Sequence, residues 1–235
     1  MKYISAKKED MSLYGKKAKG VVYSAHVIIE DIEGRASDMI ETFSNNSWID
    51  KLEAVEKVSF KARSKRTIEK LVGLIKSRAE NEVTTEFGEI LISESAQSTL
   101  KNQFKHVKVP LADFLKEKIT GNPGFDFHTE SKTNLISFGE AKYSGKESRH
   151  FKALEQIVDF IELEKDSAEL SDIKYFVTEI ASENAVNGMR AYVAAFSINA
   201  KDPNKIFNNA LKSKEMDALL CFPEIYLIGI EIDAK

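Results

Sequence analysis

The chain has 235 residues, of which 43% are hydrophobic and 30% are charged, and its formal net charge is −3. These values are typical of a soluble globular protein and exclude an intrinsically disordered one. A protein that coats nucleic acid would be more basic, so any nucleic-acid contact has to come from local clusters of Lys and Arg. The length predicts one large domain, or one domain with an added lobe.

Cysteine usage and hydropathy predict the compartment. Cys221 is the chain's single cysteine, so a disulfide framework within the chain is impossible and a reducing cytoplasm is expected. Because Cys221 follows the apolar run 218–220, we predict that its thiol is buried in the core. Apolar stretches fall short of the roughly 20 residues that span a bilayer, and the N-terminus lacks a signal-peptide core. We therefore expect no membrane association, and the four histidines do not follow the spacing of zinc ligands.

The first 84 residues predict an N-terminal lobe of one strand and several helices. Residues 1–20 are rich in lysine and predict a flexible or edge segment. The β-branched and aromatic run 20–32 predicts a strand, and Ser37 is a candidate helix N-cap. Apolar residues at helical spacing predict three helices, over 38–43, 48–58 and 64–75.

Residues 85–235 predict intermixed strands and helices. Predicted helices cover 86–100, 112–119, 150–165 and 203–214. Predicted strands cover 173–180, 190–198 and 225–232, together with a hairpin that follows a turn at 121–124, and 107–111 is predicted to be an extended connector or a short strand. Intermixed elements of this kind predict an α/β (α+β) fold with a mixed central sheet flanked by helices.

The predicted hairpin lies between Gly124 and Gly145, and it carries the most informative residues of the chain. Side chains alternate along a strand, so Glu140 and Lys142 project from one face and Ala141 turns into the protein. If the aromatic-flanked run that contains Asp126 pairs with the apolar run 135–139, Asp126 reaches that same face. Two carboxylates and an ammonium then converge at one strand end.

Such a cluster predicts a site for a divalent metal beside a phosphodiester. Mg²⁺ takes one or two protein carboxylates together with waters and substrate phosphate, which Asp126 and Glu140 can supply. The backbone carbonyl of Ala141 is a candidate third oxygen ligand. Lys142 can orient the attacking water, deprotonate it, or neutralise charge in the transition state. Mn²⁺ is expected to substitute for Mg²⁺.

Asp126 followed fourteen residues later by Glu140-x-Lys142 resembles the PD-(D/E)xK nuclease superfamily. The resemblance implies a restriction-endonuclease-like core over 85–235 and a further acidic residue on the preceding helix, which Glu89 matches as a metal ligand. It also implies an accessory role for Gln156 on the following helix. Two positions depart from the family pattern: Pro123 lies three residues before the aspartate, and Phe160 stands where a tyrosine is common.

A narrower resemblance covers roughly residues 85–160. The run Phe-Gly-Glu-Ile-Leu at 87–91, the run Gly-x-Asp-x-His at 124–128 and the run Gly-Glu-Ala-Lys-Tyr at 139–143 are similar to the nuclease subunit of the Hachiman anti-phage system. That resemblance implies a bacterial defence nuclease that acts on DNA together with a superfamily-two helicase subunit.

Residues beside this motif are candidates for accessory roles. Lys146, Arg149 and Lys152 form a basic cluster that can hold a phosphate backbone without specifying sequence; the alternative is a solvated helix face. By alternation His128 shares a face with Asp126, so it is a candidate for substrate or metal contact.

The sequence thus predicts a metal-dependent DNA endonuclease, and two alternatives stay open. One is a type II restriction endonuclease that acts alone as a homodimer. The other is a non-catalytic module that uses a nuclease-like fold to bind nucleic acid or protein.

Overall fold

The computed structural model describes residues 1–45, 47–78, 83–115 and 124–233. Within them, seven strands form one mixed sheet in the order β1-β2-β7-β6-β5-β4-β3. The strands are β1 Lys2–Glu9, β2 Val21–Ile29, β3 Val107–Lys108, β4 Phe127–Glu130, β5 Ile136–Lys142, β6 Ala191–Ser197 and β7 Glu224–Ile232.

Helices cover both faces of this sheet. They are α1 Ile32–Ser44, α2 Ala54–Arg78, α3 Thr85–Phe104, α4 Ala112–Leu115, α5 His150–Glu162, α6 Lys165–Ile173, α7 Glu179–Val186, α8 Pro203–Lys212 and α9 Lys214–Leu219. The predicted α+β class with a mixed sheet is confirmed. None of these helices, in the part of the chain that is described, combines the length and hydropathy needed to cross a bilayer.

The centre of the sheet is parallel and its two margins are antiparallel. β2, β7, β6 and β5 are parallel neighbours. β1 pairs with β2, β4 with β5, and β3 with β4, all antiparallel. The lysine-rich start of the chain therefore forms an edge strand, and the strands on either side of residue 84 belong to one sheet.

Two hydrophobic cores lie on opposite faces of the sheet, and β5 contributes to both by alternation. Ile136 and Phe138 belong to the core that α5 covers, whereas Ala141 belongs to the core that α3 covers. Gly139 leaves room for the neighbouring strand's aromatic ring, since a Cβ at 139 would lie 2.3 Å from Phe127. The predicted hairpin and the inward direction of Ala141 are confirmed.

The predicted strand over 173–180 is wrong. α6 ends at Ile173, a loop follows, and α7 begins at Glu179. Ile173 is the buried residue of this run, whereas Tyr175 and Ile180 are exposed. Phe176 is half-buried by aromatic packing and not by a sheet, since its ring lies 5.4 Å from Phe60 and 5.5 Å from Trp48.

Helix boundaries in the N-terminal part also differ from the predictions. α1 begins six residues before the predicted helix, because the Asp31 side chain accepts a hydrogen bond from the Gly34 N–H and caps it. A short 3-10 helix at Ile49–Lys51 precedes α2, which is one continuous helix where two were predicted.

Cys221 is exposed, so its predicted burial is wrong. Its sulfhydryl contacts the Ala218 carbonyl in the turn that follows α9. The end of the predicted helix 112–119 and most of the predicted turn 121–124 fall outside the described residues.

Candidate active site

The β4–β5 hairpin brings Asp126 beside Glu140. Phe127 pairs with Gly139 in the antiparallel register, and the Asp126 N–H donates to the Gly139 carbonyl at 2.9 Å. The Asp126 carboxylate then accepts the Ala141 N–H at Oδ2, at 2.8 Å. This charge-assisted hydrogen bond holds the Asp126 side chain against β5, at the point where the Glu-x-Lys segment begins.

Glu140 and Lys142 project together, as alternation predicts. The Lys142 ammonium donates to Glu140 Oε1 at 2.6 Å. Glu140 is fully buried, with 0% of its surface exposed, and its second oxygen, Oε2, has no hydrogen-bond partner among the described residues. A buried carboxylate oxygen without a partner is costly, and such atoms in native proteins call for a ligand, a water or a strained functional state.

Helix α3 adds Glu89 to the cluster. Glu89 Oε1 lies 3.8 Å from the Lys142 ammonium. The helix lies directly on the segment after β5, because a Cβ at Gly88 would be 2.1 Å from the Tyr143 ring. Glu89 and Asp126 line the same cavity of about 90 Å³. The three predicted carboxylates and the predicted lysine are therefore brought together.

Burial and like charge oppose the ionisation of Glu140. Loss of solvent raises the pKa of Glu140 well above its ordinary value, and the charge of Asp126 adds to that shift. Lys142 behaves in the opposite way: burial lowers its pKa, but the carboxylates of Glu140 and Asp126 outweigh burial and the net pKa is raised. Lys142 is thus an ammonium at neutral pH.

The fit of these residues to a metal ion depends on how many protein ligands the ion requires. In the described ranges no group of three or more His, Cys, Asp or Glu side chains is arranged to hold a metal by itself. Mg²⁺ does not need such a group, since one or two carboxylates complete its shell with water and substrate phosphate. The unpartnered Glu140 Oε2 beside the fixed Asp126 carboxylate meets that smaller requirement, so the donor set fits.

The two accessory candidates lie on β4 and α5. His128 is buried beneath α6, where its Nε2 lies 2.7 Å from Glu169 Oε2 and its ring packs edge-on against Phe138. Gln156 is half-buried on α5. Neither makes a hydrogen bond to Asp126 or Glu140 among the contacts that the structure describes.

The basic cluster divides into two parts. Lys146 and Arg149 line a groove of about 780 Å³, which Tyr143, the residue after Lys142, also lines. Arg149 also pairs with Glu147 at 3.0 Å. Lys152 is not among the residues that line this groove, and it pairs with Glu155 at 2.6 Å along α5.

Glu169 is a residue near the site that the sequence patterns did not single out. A signal was present, because Asp166, Glu169 and Ile173 follow the spacing of one helical face and all three are buried on α6. Acidic side chains on the buried face of a helix need buried partners, and His128 is one such partner.

Comparisons of the chain with protein-family models, with curated proteins and with solved structures found no match.

Proposed function

We propose that the protein is a metal-dependent DNA endonuclease that hydrolyses phosphodiester bonds. Asp126 and Glu140 bind Mg²⁺, with the Ala141 carbonyl as a further oxygen and Glu89 as the outer acid of the cluster. When bound, the ion withdraws charge from the phosphodiester and makes a water more acidic.

The observation that carries this proposal is the state of Glu140. Its carboxylate is fully buried, Lys142 satisfies only Oε1, and Asp126 lies beside it. For folding alone this arrangement is unfavourable, since a buried carboxylate is stable only when its charge and both oxygens are compensated. A divalent cation supplies the missing positive charge.

Lys142 acts as a donor in this proposal. Its raised pKa keeps the ammonium protonated, so it can donate to an attacking water or to a negatively charged phosphoryl oxygen. Proton removal from the water then falls to another acceptor, such as solvent or a phosphate oxygen of the substrate.

The groove at Tyr143 supports DNA as the substrate. Tyr143, the neighbour of Lys142 in sequence, lines it together with Lys146 and Arg149, and these two cations can hold a phosphate backbone adjacent to the scissile bond. Thr84, at the N-terminus of α3, lines the same groove, and helix N-termini favour anions.

The biological setting is proposed from the family resemblance. A superfamily-two helicase subunit is the proposed partner, and the cytoplasm is the proposed compartment. Association of identical copies is compatible with this setting. A restriction endonuclease acting alone would give site-specific fragments, whereas a helicase-partnered nuclease would cleave without sequence preference.

The decisive experiment compares Glu140→Gln with a matched control, Glu231→Gln. Glu231 is also a strand carboxylate that lies 2.7 Å from a basic side chain, His26, but it is on β7, outside the cluster. We expect the Glu140 variant to lose Mn²⁺ binding in calorimetry and to lose cleavage of DNA by about a thousandfold. We expect Lys142→Met to lose cleavage and to keep Mn²⁺ binding.

The control should match the unmodified protein in both assays. Cleavage that survives in Glu140→Gln would remove the nuclease proposal. Mn²⁺ binding without cleavage of any DNA by the unmodified protein would favour the binding-module alternative.

A further inference from the structure

We propose that Glu169 is a positioning residue for Asp126. The inference rests on the proposed function, because it concerns the geometry of a proposed metal ligand. It also reassigns His128, which becomes part of the support for that ligand and not a contact to substrate or metal.

The Glu169 carboxylate contacts the backbone and a side chain on either side of Asp126. Its Oε1 accepts the Phe125 N–H at 3.0 Å, and its Oε2 lies 2.7 Å from His128 Nε2. One contact is therefore one residue before the aspartate and the other is two residues after it. Together they fix the path of the chain through Asp126 from the α6 side.

These contacts lie in the protein interior, where they are strong. Glu169 is 7% exposed and His128 is fully buried. The His128 ring is held a second time by its edge-on packing against Phe138. In a low-dielectric interior a carboxylate that accepts a backbone N–H and pairs with an imidazole is strongly oriented.

The segment needs this support because Asp126 precedes the strand. β4 begins at Phe127, and the aspartate contacts β5 from outside the ladder, through its own N–H and through its Oδ2. A metal ligand loses affinity when the groups that orient it are removed, by 10- to 100-fold in well-studied sites. Glu169 supplies such orientation from a different element of the fold.

The test compares Glu169→Ala with Glu169→Gln and with a control on the same helix. The glutamine amide can still accept the Phe125 N–H and donate to the imidazole. The control, Asp166→Ala, also removes a buried acid from α6, but Asp166 bonds to Tyr192 and Arg190 on the β6 side. All measurements use the full chain.

Two readouts are expected to move together in Glu169→Ala. In calorimetry its Mn²⁺ affinity should fall about tenfold. The Mg²⁺ concentration for half-maximal cleavage should rise by the same factor, whereas kcat at saturating Mg²⁺ should fall less than about threefold. Glu169→Gln should restore both values, and Asp166→Ala should lower thermal stability without changing either.

An unchanged Mn²⁺ affinity in folded Glu169→Ala would overturn the inference, whatever its stability. So would an equal loss of affinity in Asp166→Ala. If Glu169→Ala does not fold, His128→Phe removes one of the two contacts, and an affinity equal to that of the unmodified protein would again overturn it.

The two proposals fail in different ways. Mn²⁺ binding without any cleavage would refute the nuclease function and would leave the calorimetric comparison as a valid test of Glu169. Absence of Mn²⁺ and Mg²⁺ binding to the unmodified protein would refute both.

Discussion

Two buried glutamates, Glu94 and Glu140, lie in opposite electrostatic surroundings. Glu94 on α3 is 2% exposed and contacts two cations: the Lys108 ammonium lies 2.6 Å from each carboxylate oxygen, and Arg35 lies 3.4 Å away. Glu140 is equally buried, but Lys142 reaches one of its oxygens and Asp126 adds a second negative charge.

The difference is the one expected between a carboxylate that stabilises the fold and one that, in our proposal, binds a metal ion. Glu94 contacts two cations, Lys108 and Arg35, so the burial of its carboxylate is compensated within the chain. Around Glu140 the negative charges exceed the positive one. Natural proteins tolerate such imbalance where function requires it, at the expense of stability.

The largest effect is expected from neutralising the compensated carboxylate. Glu94→Gln leaves Lys108 without this counter-charge and leaves Arg35 with the exposed Asp38 carboxylate at 3.9 Å. Removal of one partner from a buried ion pair typically costs about 3–5 kcal/mol. Urea denaturation at pH 8 with EDTA measures the free energy of unfolding. A loss below about 1 kcal/mol would show that the Glu94 cluster is not a stability element.

Neutralising the uncompensated carboxylate is expected to have the opposite sign. Burial and Asp126 raise the pKa of Glu140, so the folded state holds this proton at a pH where the unfolded state has released it. Ionised Glu140 therefore destabilises the metal-free protein above its folded pKa. Glu140→Gln should raise the free energy of unfolding at pH 8, on the order of 1 kcal/mol.

The pH dependence provides the check on that gain. Below the ordinary pKa of 4.5 the carboxyl group is protonated in both states, so the difference between Glu140→Gln and the unmodified protein should disappear. Paired urea titrations at pH 8 and pH 3 make the comparison. A gain that persists at pH 3 would mean that packing, not charge, is its origin.

The smallest effect concerns cations that face solvent. If Lys146 and Arg149 contact phosphates in the groove, replacing both with Ala should make the plot of log binding constant against log salt concentration less steep. The magnitude of its negative slope should fall by about two. Fluorescence anisotropy with a short labelled DNA duplex, in a buffer that contains Ca²⁺ in place of Mg²⁺, measures that slope. Lys2→Ala, at the far edge of the sheet on β1, is the control and should leave the slope unchanged.

Local rules were sufficient to predict how the charged side chains on β5 are arranged. The two-residue period of a strand places Glu140 and Lys142 together, and the antiparallel register brings Asp126 to the same point. The structure agrees because these residues are neighbours in sequence or across one hairpin.

The supporting contacts were not predictable by the same rules. His128 and Glu169 are 41 positions apart in sequence, and no periodicity links residues on different elements. The run over 173–180 was assigned to a strand by composition, yet its Phe176 is held by Trp48 and Phe60. Tertiary packing overrode propensity there, as it often does for short apolar runs.

The position of β7 in the sheet has a consequence for synthesis of the protein. β7 lies between β2 and β6 and is the strand that joins β1–β2 to β6–β5–β4–β3. It follows all the other described strands in the chain, so a ribosome completes it after them. Until residues 224–232 emerge, the two halves of the sheet cannot be joined, and the domain that carries the carboxylate cluster assembles only after those residues are made.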